Sequence, residues 1–364
     1  MRSRVLIAMS GGVDSSVAAA RLLADGLDVI GVTLRLWDQD GARLGQDRPA
    51  RCHLDDARRV AARLGIAHHV LDRRDVFRDE IVEPFVSSYL RGETPSPCVY
   101  CNRQIKLREL LHFADQLCVD TVATGHYARI ERVAGVSRLR RARDHRRDQS
   151  YFLHALEPRM LARLRFPVGE LSKSEVRAQA LRLGLPVADK SDSQELCFVP
   201  RGSYASFVAA RAGDRTRPGP ILDAQGYAVG SHCGIHAYTV GQRRRLGVAL
   251  GRRAYVVALE AATASVRLGT REQTLADGAV LGASSRVDGV FFPLVCEAVV
   301  RHRGCRTRAV VSPRHDGGLQ VRFDRPVPAV VPGQFVVFYR GDRVLGGGPI
   351  RQAIGLGSAA GSRA

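Results

Sequence analysis

The sequence predicts an α/β fold: a doubly wound parallel sheet carrying the chemistry, followed by a small central domain and a C-terminal β-barrel. Three observations carry that expectation. From the start of the chain to about residue 130, short β-branched runs alternate with helical patterns, as βαβ units in one parallel sheet do. A glycine- and serine-rich turn, Ser10-Gly11-Gly12-Val13-Asp14-Ser15-Ser16, follows the first apolar run and precedes the first helical pattern. Beyond about residue 212 helical periodicity fades into short strand-like pieces separated by Gly and Pro turns.

In chain order, residues 5–9, 29–34, 67–71 and 121–124 read as strands, and residues 17–23, 54–64, 81–90 and 107–118 as helices. Residues 35–51 are polar, with Gly and Pro, and read as a mobile loop beside the site. Ligands of such sheets bind outside the carboxyl ends of the strands, where the opening turn and Gly125-His126 both fall. A further helix over 173–183 is closed by Gly184 and Pro186. Residues 295–301, 308–312, 319–323 and 334–340 read as successive strands, turning at Asp316-Gly317-Gly318 and Gly341-Asp342, which suits a small barrel. The expected division is 1–211, 212–277 and 278–355, with 356–364 a disordered tail.

At 364 residues there is core enough for two or three domains. The sequence lacks the run of about 18 apolar residues that a membrane span needs. The first strand begins almost at once and leaves no room for a signal peptide, so a cytoplasmic protein is expected. In that compartment the eight cysteines read as ligands, catalysts or buried thiols and not as a disulfide frame. With 55 Lys+Arg against 36 Asp+Glu, the net charge of +19 favours a polyanionic partner, nucleic acid above all. Only Lys106, Lys173 and Lys190 are lysines. That bias reads as a compositional habit, so the net charge is informative and the choice of Arg over Lys is not.

The opening turn has the chemistry of an anion site. Gly11 and Gly12 let the backbone approach a ligand with no Cβ in the way. The amides and hydroxyls that follow stand at a helix N-terminus, where the dipole favours phosphate. It is not a Walker loop, which requires a Gly-Lys-Ser/Thr ending; no lysine occurs here. An ordinary N-cap would need neither the two glycines nor the serine cluster. The turn instead resembles the PP-loop of the ATP pyrophosphatases, which cut ATP between the α- and β-phosphates and adenylate a substrate.

A second signal is Thr94-Pro95-Ser96-Pro97-Cys98-Val99-Tyr100-Cys101-Asn102, where two prolines stiffen a loop presenting a Cys-x-x-Cys pair. That spacing lets two thiols face one ligand, and alone it fits zinc, an iron–sulfur cluster or redox chemistry equally. Cys197 lies in a polar run, 192–198, with no helix or strand signal. Arg138-Leu139-Arg140-Arg141-Ala142-Arg143 with Arg146-Arg147 forms a basic block suited to phosphates or simply to solvent, and Arg243-Arg244-Arg245 has the same standing. Cys52-His53, in the polar loop, reads as incidental, and Cys118, Cys233, Cys296 and Cys305 lack partner spacing. His68-His69 reads as packing, and Gly234 argues against His232 and His236 sharing a helix.

Taken together, Ser10–Ser16, residues 94–102, Ala123-Thr124-Gly125-His126-Tyr127-Ala128-Arg129, Asp148-Gln149-Ser150-Tyr151-Phe152-Leu153, residues 192–198, Thr239-Val240-Gly241-Gln242-Arg243 and Pro332-Gly333-Gln334 resemble the tRNA-specific 2-thiouridylase family. The resemblance runs in order from residue 5 to about 353. It implies ATP-dependent replacement of the C2 oxygen of uridine 34 in the anticodon by sulfur. It places Ala8, Met9, Ser10, Gly11, Gly12, Val13, Asp14, Ser15, Leu34 and Gly125 around ATP with Mg²⁺. It makes Cys197 the persulfide carrier and Cys101 the nucleophilic partner, with a transient disulfide between them. It brings Ser96, Pro97, Cys98, His126, Arg147, Asp148, Gln149, Arg303, Gly304 and Gln334 to the tRNA, and implies a sulfur donor such as a cysteine desulfurase or sulfur-relay protein. Many members have Asp where this chain has Cys98. Cys98, Cys101 and Cys197 thus also match the three ligands of sulfur transferases that hold a [4Fe–4S] cluster. A thiolase acting at another tRNA position, a small-molecule PP-loop ligase and an idle RNA-binding protein are the competing readings; the segments after residue 230 weigh against the first, the thiols and the charge against the second, and the opening turn and the thiols against the third.

Overall fold

The computed structural model describes residues 3–37, 53–191, 196–199, 203–282, 286–287 and 291–356. Two compact units emerge: Met1–Glu80 with Cys98–Phe198 and Asp342–Val344, and Ile81–Pro97 with Val199–Gly341 and Leu345–Ala364.

The first unit is built on a five-stranded parallel sheet. β1 (Arg4–Ala8) is central, flanked by β2 (Asp28–Arg35) and β4 (Thr121–Ala123); β3 (Ala67–Asp72) and the short strand Leu164–Arg165 form the edges. Val5, Leu6 and Ile7 of β1 are buried, as expected for a strand covered on both faces. α1 (Val13–Ala24), α2 (His53–Leu64) and the helix Lys173–Arg182 contribute Val17, Ala18, Val60, Val176 and Ala180 to one shared core. Lys173–Arg182 opens on a complete capping box, Ser172 with Glu175, and Gly184 follows it at φ +59°, so the expected stop signal operates.

Three departures from the sequence reading affect the site. The Cys-x-x-Cys pair is on a helix and not on a loop: a short α-helix, Pro97–Tyr100, runs into a π-helical turn, Cys101–Lys106, and then into Leu107–Gln116. Pro97 takes the first helical position, where its missing N–H costs nothing. His53 begins α2 and is no part of a loop, while Cys52 and most of the expected loop lie outside the described residues. The basic block is half strand: Ala128–Val133 and Val136–Arg141 form an antiparallel hairpin turning at Ala134-Gly135, both at positive φ.

The second unit contains the helices Glu83–Leu90 and Tyr204–Ala212, joined by a Phe85–Phe207 edge contact and a stacked Tyr89–Tyr204 pair with centroids 4.7 Å apart. A four-stranded sheet follows in the order Tyr255–Glu260, Ser265–Gly269, Gly219–Leu222, Ala228–His232, around a core of Ile221, Val256, Val266 and Leu268. Six strands then close a barrel: Leu275–Leu281, Leu319–Pro328, Thr307–Pro313, Leu294–Val299, Phe335–Arg340 and Arg343–Gly355. Closure is made by the first against the last, with Leu281 opposite Ile350 and Ala276 opposite Gly355. Inward and outward residues alternate along Thr307–Pro313, as a barrel wall requires. No helix among the described residues is long and apolar enough to cross a membrane.

Candidate active site

The nucleotide loop stands where β1 hands the chain to α1. Met9 is fixed from both sides, its N–H donating to the Val32 carbonyl at 2.8 Å and its carbonyl accepting from Thr33 Oγ1 at 2.7 Å. Gly11 sits at φ +68°, and a Cβ there would overlap the His53 carbonyl oxygen. Gly12 is the N-cap and has no side chain to cap with, so the first amides of α1 are left for a ligand. The Gly12 carbonyl accepts from the hydroxyls of Ser15 at 3.0 Å and Ser16 at 2.8 Å, which brace the loop from inside. Gly125, just after β4, lies flat on this helix end: a Cβ on it would stand 2.6 Å from Ser15 N. The loop, its uncapped amides and the two close glycine approaches fit a polyphosphate. Ala8, Val13 and Leu34 line the neighbouring strand ends and helix start, Val13 buried, Ala8 and Leu34 half-buried.

Two lysines from distant sequence close on this loop. Lys173 Nζ donates to Asp14 Oδ1 at 2.6 Å, and the Tyr127 hydroxyl donates to the same oxygen at 2.8 Å. Lys190 Nζ donates to the Gly11 carbonyl at 2.9 Å and to Asp56 Oδ2 at 2.6 Å. Asp56 is almost fully buried; burial opposes its ionisation, but hydrogen bonds from Lys190 and Arg59 outweigh it and hold the carboxyl below its usual range. Burial, and then the neighbouring Lys190, keep the His53 imidazole neutral-leaning. By holding the Gly11 carbonyl, Lys190 fixes the Gly11–Gly12 peptide plane, and in a trans peptide the N–H then points the opposite way. Neither lysine is signalled by local sequence; both are found only through the fold.

The thiols form the second part. Cys98 and Cys101 are turned inward by the helix that starts at Pro97, and Cys197 lies in the segment before Phe198. Phe198 is anchored against Phe77 and Trp37, with centroids 5.6 and 6.3 Å away, which fixes the neighbouring Cys197. Residues 192–195 lie outside the described residues. Cys98, Cys101 and Cys197 influence one another electrostatically, and all three feel the ammonium of Lys106, which ends the π-helical turn that Cys101 begins. Burial pushes the Cys101 thiol up to about 12 and raises Cys98; Cys197, exposed on its outer side, is raised by burial as well. Lys106 opposes each shift without reversing it. Desolvation thus wins over one cation. Lys106 itself is held charged chiefly by Cys101, against burial. The five-residue spacing from Cys101 is its only sequence signal, and it is legible only once the turn is known to be π-helical.

Thr124-Gly125-His126 connects the two parts, because Gly125 rests on Ser15 while the His126 ring is within reach of Lys106's charge. His126 accepts or donates one hydrogen bond with Thr124 Oγ1 at 2.7 Å, and burial followed by Lys106 lowers its pKa to about 3. The ring is neutral at physiological pH. Among the described residues no three His, Cys, Asp or Glu side chains are grouped so as to hold a metal ion. The three thiols match an iron–sulfur cluster in kind and number.

The remaining expected contacts divide between the units. In the first, Asp148 is turned inward, accepting from Arg141 Nε at 2.8 Å, Ala142 N at 3.0 Å and Ser150 Oγ at 2.9 Å. Gln149 exchanges hydrogen bonds with the Tyr127 backbone, both at 2.8 Å, and Arg147 is half-buried beside it. Much of the basic block is likewise neutralised internally, Arg140 by Glu131 and Arg141 by Asp148. In the second unit, Gln334 Nε2 donates to the Thr94 carbonyl at 3.0 Å and Thr94 N donates to Pro332 at 2.8 Å, so Pro332-Gly333-Gln334 braces the segment carrying Ser96 and Pro97. Arg303 is exposed at positive φ on a turn closed by Gly304 N to the Arg301 carbonyl. Arg243 and Arg245, with Arg252 and Arg253, which the sequence reading passed over, line an open groove.

Comparison with known proteins matches residues 3–201 to the tRNA methyl transferase HUP domain, 205–270 to the tRNA methyl transferase PRC-barrel domain and 292–350 to the aminomethyltransferase beta-barrel domain. Among curated relatives, the tRNA-specific 2-thiouridylase MnmA of Sorangium cellulosum is 53% identical over 360 residues, spanning 97% of this chain and 93% of that protein. The proteins of the same name from Syntrophotalea carbinolica (46% over 345 residues, 94% and 97%) and Heliobacterium modesticaldum (45% over 365 residues, 98% and 94%) match over similar lengths. A phosphate-shaped loop, three thiols in the same unit and near full-length identity of this order leave one assignment: the chain belongs to the tRNA-specific 2-thiouridylase family.

Proposed function

We infer that this chain carries out its family's reaction, exchanging the C2 oxygen of uridine 34 in the tRNA anticodon for sulfur with cleavage of ATP to AMP and pyrophosphate. The observation that carries the reading is the coexistence, in one folded unit, of a polyphosphate loop and the three thiols Cys98, Cys101 and Cys197. A carbonyl oxygen is a poor leaving group, so the uridine oxygen first attacks the α-phosphorus and pyrophosphate departs. The amides and hydroxyls of Ser10, Gly11, Gly12 and Ser15 hold the phosphates, and Asp14 would hold Mg²⁺, which neutralises phosphate charge. Ala8, Met9, Val13, Leu34 and Gly125 shape the nucleoside pocket.

Sulfur arrives as a persulfide on Cys197, from a cysteine desulfurase or relay protein. Its terminal sulfur attacks C2 and expels AMP. Cys101 then attacks the Cys197 sulfur, the S–S bond to the transferred atom breaks, and a Cys101–Cys197 disulfide remains for an external thiol to reduce. No step is assigned to a [4Fe–4S] cluster; iron analysis of anaerobic protein is the test of that alternative. Ser96, Pro97, Cys98, His126, Arg147, Gln149, Arg303, Gly304 and Gln334 are proposed to touch the tRNA, with Asp148 as the brace behind its neighbours. We also propose the division 1–211, 212–277 and 278–355, and a cytoplasmic location.

The deciding experiment supplies ATP, Mg²⁺, a sulfur donor and unmodified tRNA, then maps thionucleosides. Formation of 2-thiouridine at position 34 supports the reading; thiolation elsewhere, or ATP turnover that is indifferent to RNA, overturns it. Cys101→Ala and Cys197→Ala should each abolish thiolation and leave tRNA affinity within about threefold. A large loss of RNA binding in either would make that cysteine structural.

A further inference from the structure

The PP-loop lacks the lysine that a Walker loop carries, yet an ammonium stands beside it. Lys173 Nζ lies 2.6 Å from Asp14, the second residue of α1, although the two are 159 residues apart in sequence. Its own position is electrostatically awkward. Lys173 is the first residue of a ten-residue helix, the end where the dipole disfavours cations. Its side chain is only 10% exposed, so it is not a solvent-facing residue placed there by chance. The composition adds an independent argument. Among 55 basic residues only three are lysines, and two of them, Lys173 and Lys190, converge on this one loop. In a chain whose habitual cation is arginine, a lysine marks a place where a compact point charge suits and a planar fork does not.

We propose that Lys173 is the phosphate-binding cation of the nucleotide site, taking the β- and γ-phosphates that leave as pyrophosphate. The proposal rests on the ATP-cleaving reading given above and adds a residue to it. Without nucleotide, Asp14 holds the ammonium at the mouth of the uncapped helix end. An incoming polyphosphate, carrying several negative charges against one, competes for it. Lys190 has a different task, since its contacts are to the loop's own carbonyl and to buried Asp56.

The test titrates ATP, AMP and inorganic pyrophosphate separately into the full chain and into Lys173→Met. ATP and pyrophosphate should each bind at least about tenfold more weakly to the variant, and AMP should change by less than about twofold. Equal losses for AMP and ATP would show that the substitution merely disrupts the loop, and unchanged ATP affinity would show that Lys173 does not touch the phosphates; either overturns the proposal. Should Lys173→Met fail to fold, acetylation of the wild-type chain answers the same question: ATP and pyrophosphate should shield Lys173 from the reagent and AMP should not, and no shielding by either phosphate overturns it. A wild-type chain with no affinity for ATP removes the underlying reading and the proposal together.

Discussion

At the scale of single residues, the site depends on atoms that are absent as much as on those present. Gly11 combines a left-handed backbone with a carbonyl oxygen where its Cβ would be. Gly11→Ala should therefore cost at least the 1–3 kcal/mol typical of a strained backbone position, and thermal melting should fall by several degrees. Gly125→Ala puts a methyl 2.6 Å from Ser15 N, against backbone that cannot swing aside. It should weaken ATP by more than about tenfold, measured by direct titration; binding within twofold of wild type would mean that the two segments separate easily. The thiols set a pH dependence. With Cys101 raised to about 12 it is protonated at neutral pH, so alkylation by iodoacetamide should be slow at pH 7 and climb continuously through pH 10. Lys106→Met removes the one cation that favours the thiolate and should slow alkylation further at every pH below that value.

At the scale of elements, the parallel sheet and its first turn were legible because period and punctuation agree: β-branched runs, two glycines, a serine cluster and then a helix. The Cys-x-x-Cys segment was not. Its prolines suggested a loop, but Pro97 occupies the one helical position that suits proline, and a π-helical turn leaves no periodic trace in six residues. The lysines at the nucleotide loop escaped for a different reason: contacts spanning 159 and 179 residues have no local pattern. The helix Ser150–Leu153 offers a further test. His154 caps its end, with Nδ1 2.7 Å from the Tyr151 carbonyl, and burial lowers its pKa to about 4 from an ordinary 6.5. The unfolded chain binds the extra proton first, so the stabilisation is complete above pH 6.5 and lost as pH falls toward 4. At pH 5 the loss from this group is on the order of 2 kcal/mol, and His154→Gln should flatten the stability profile between those values.

Over the whole molecule, the surplus of 19 positive charges is the dominant property, and it was plain from composition. Ion pairing redistributes it. The block at 138–147, suited by sequence to phosphates or to solvent, spends Arg140 and Arg141 internally, while Arg243, Arg245, Arg252 and Arg253 remain around an open groove. Affinity for tRNA should fall linearly with salt on logarithmic axes, by about a thousandfold or more between 50 and 200 mM if six or more phosphates are engaged. Arg252→Ala with Arg253→Ala should reduce that slope by about one to two, whereas Arg140→Ala should leave it unchanged; the reverse pattern would move the RNA surface to the hairpin.

The depth at which Cys101 lies has one more consequence, for the lifetime of the resting protein. Peroxide oxidises thiolates, not thiols. A Cys101 held protonated by its surroundings is therefore nearly inert to it between turnovers, and its neighbours Cys98 and Cys197 are shifted the same way. The same burial that makes Cys101 slow without its substrates protects it from peroxide. Its reactivity is then set by what the occupied site does to the local charge.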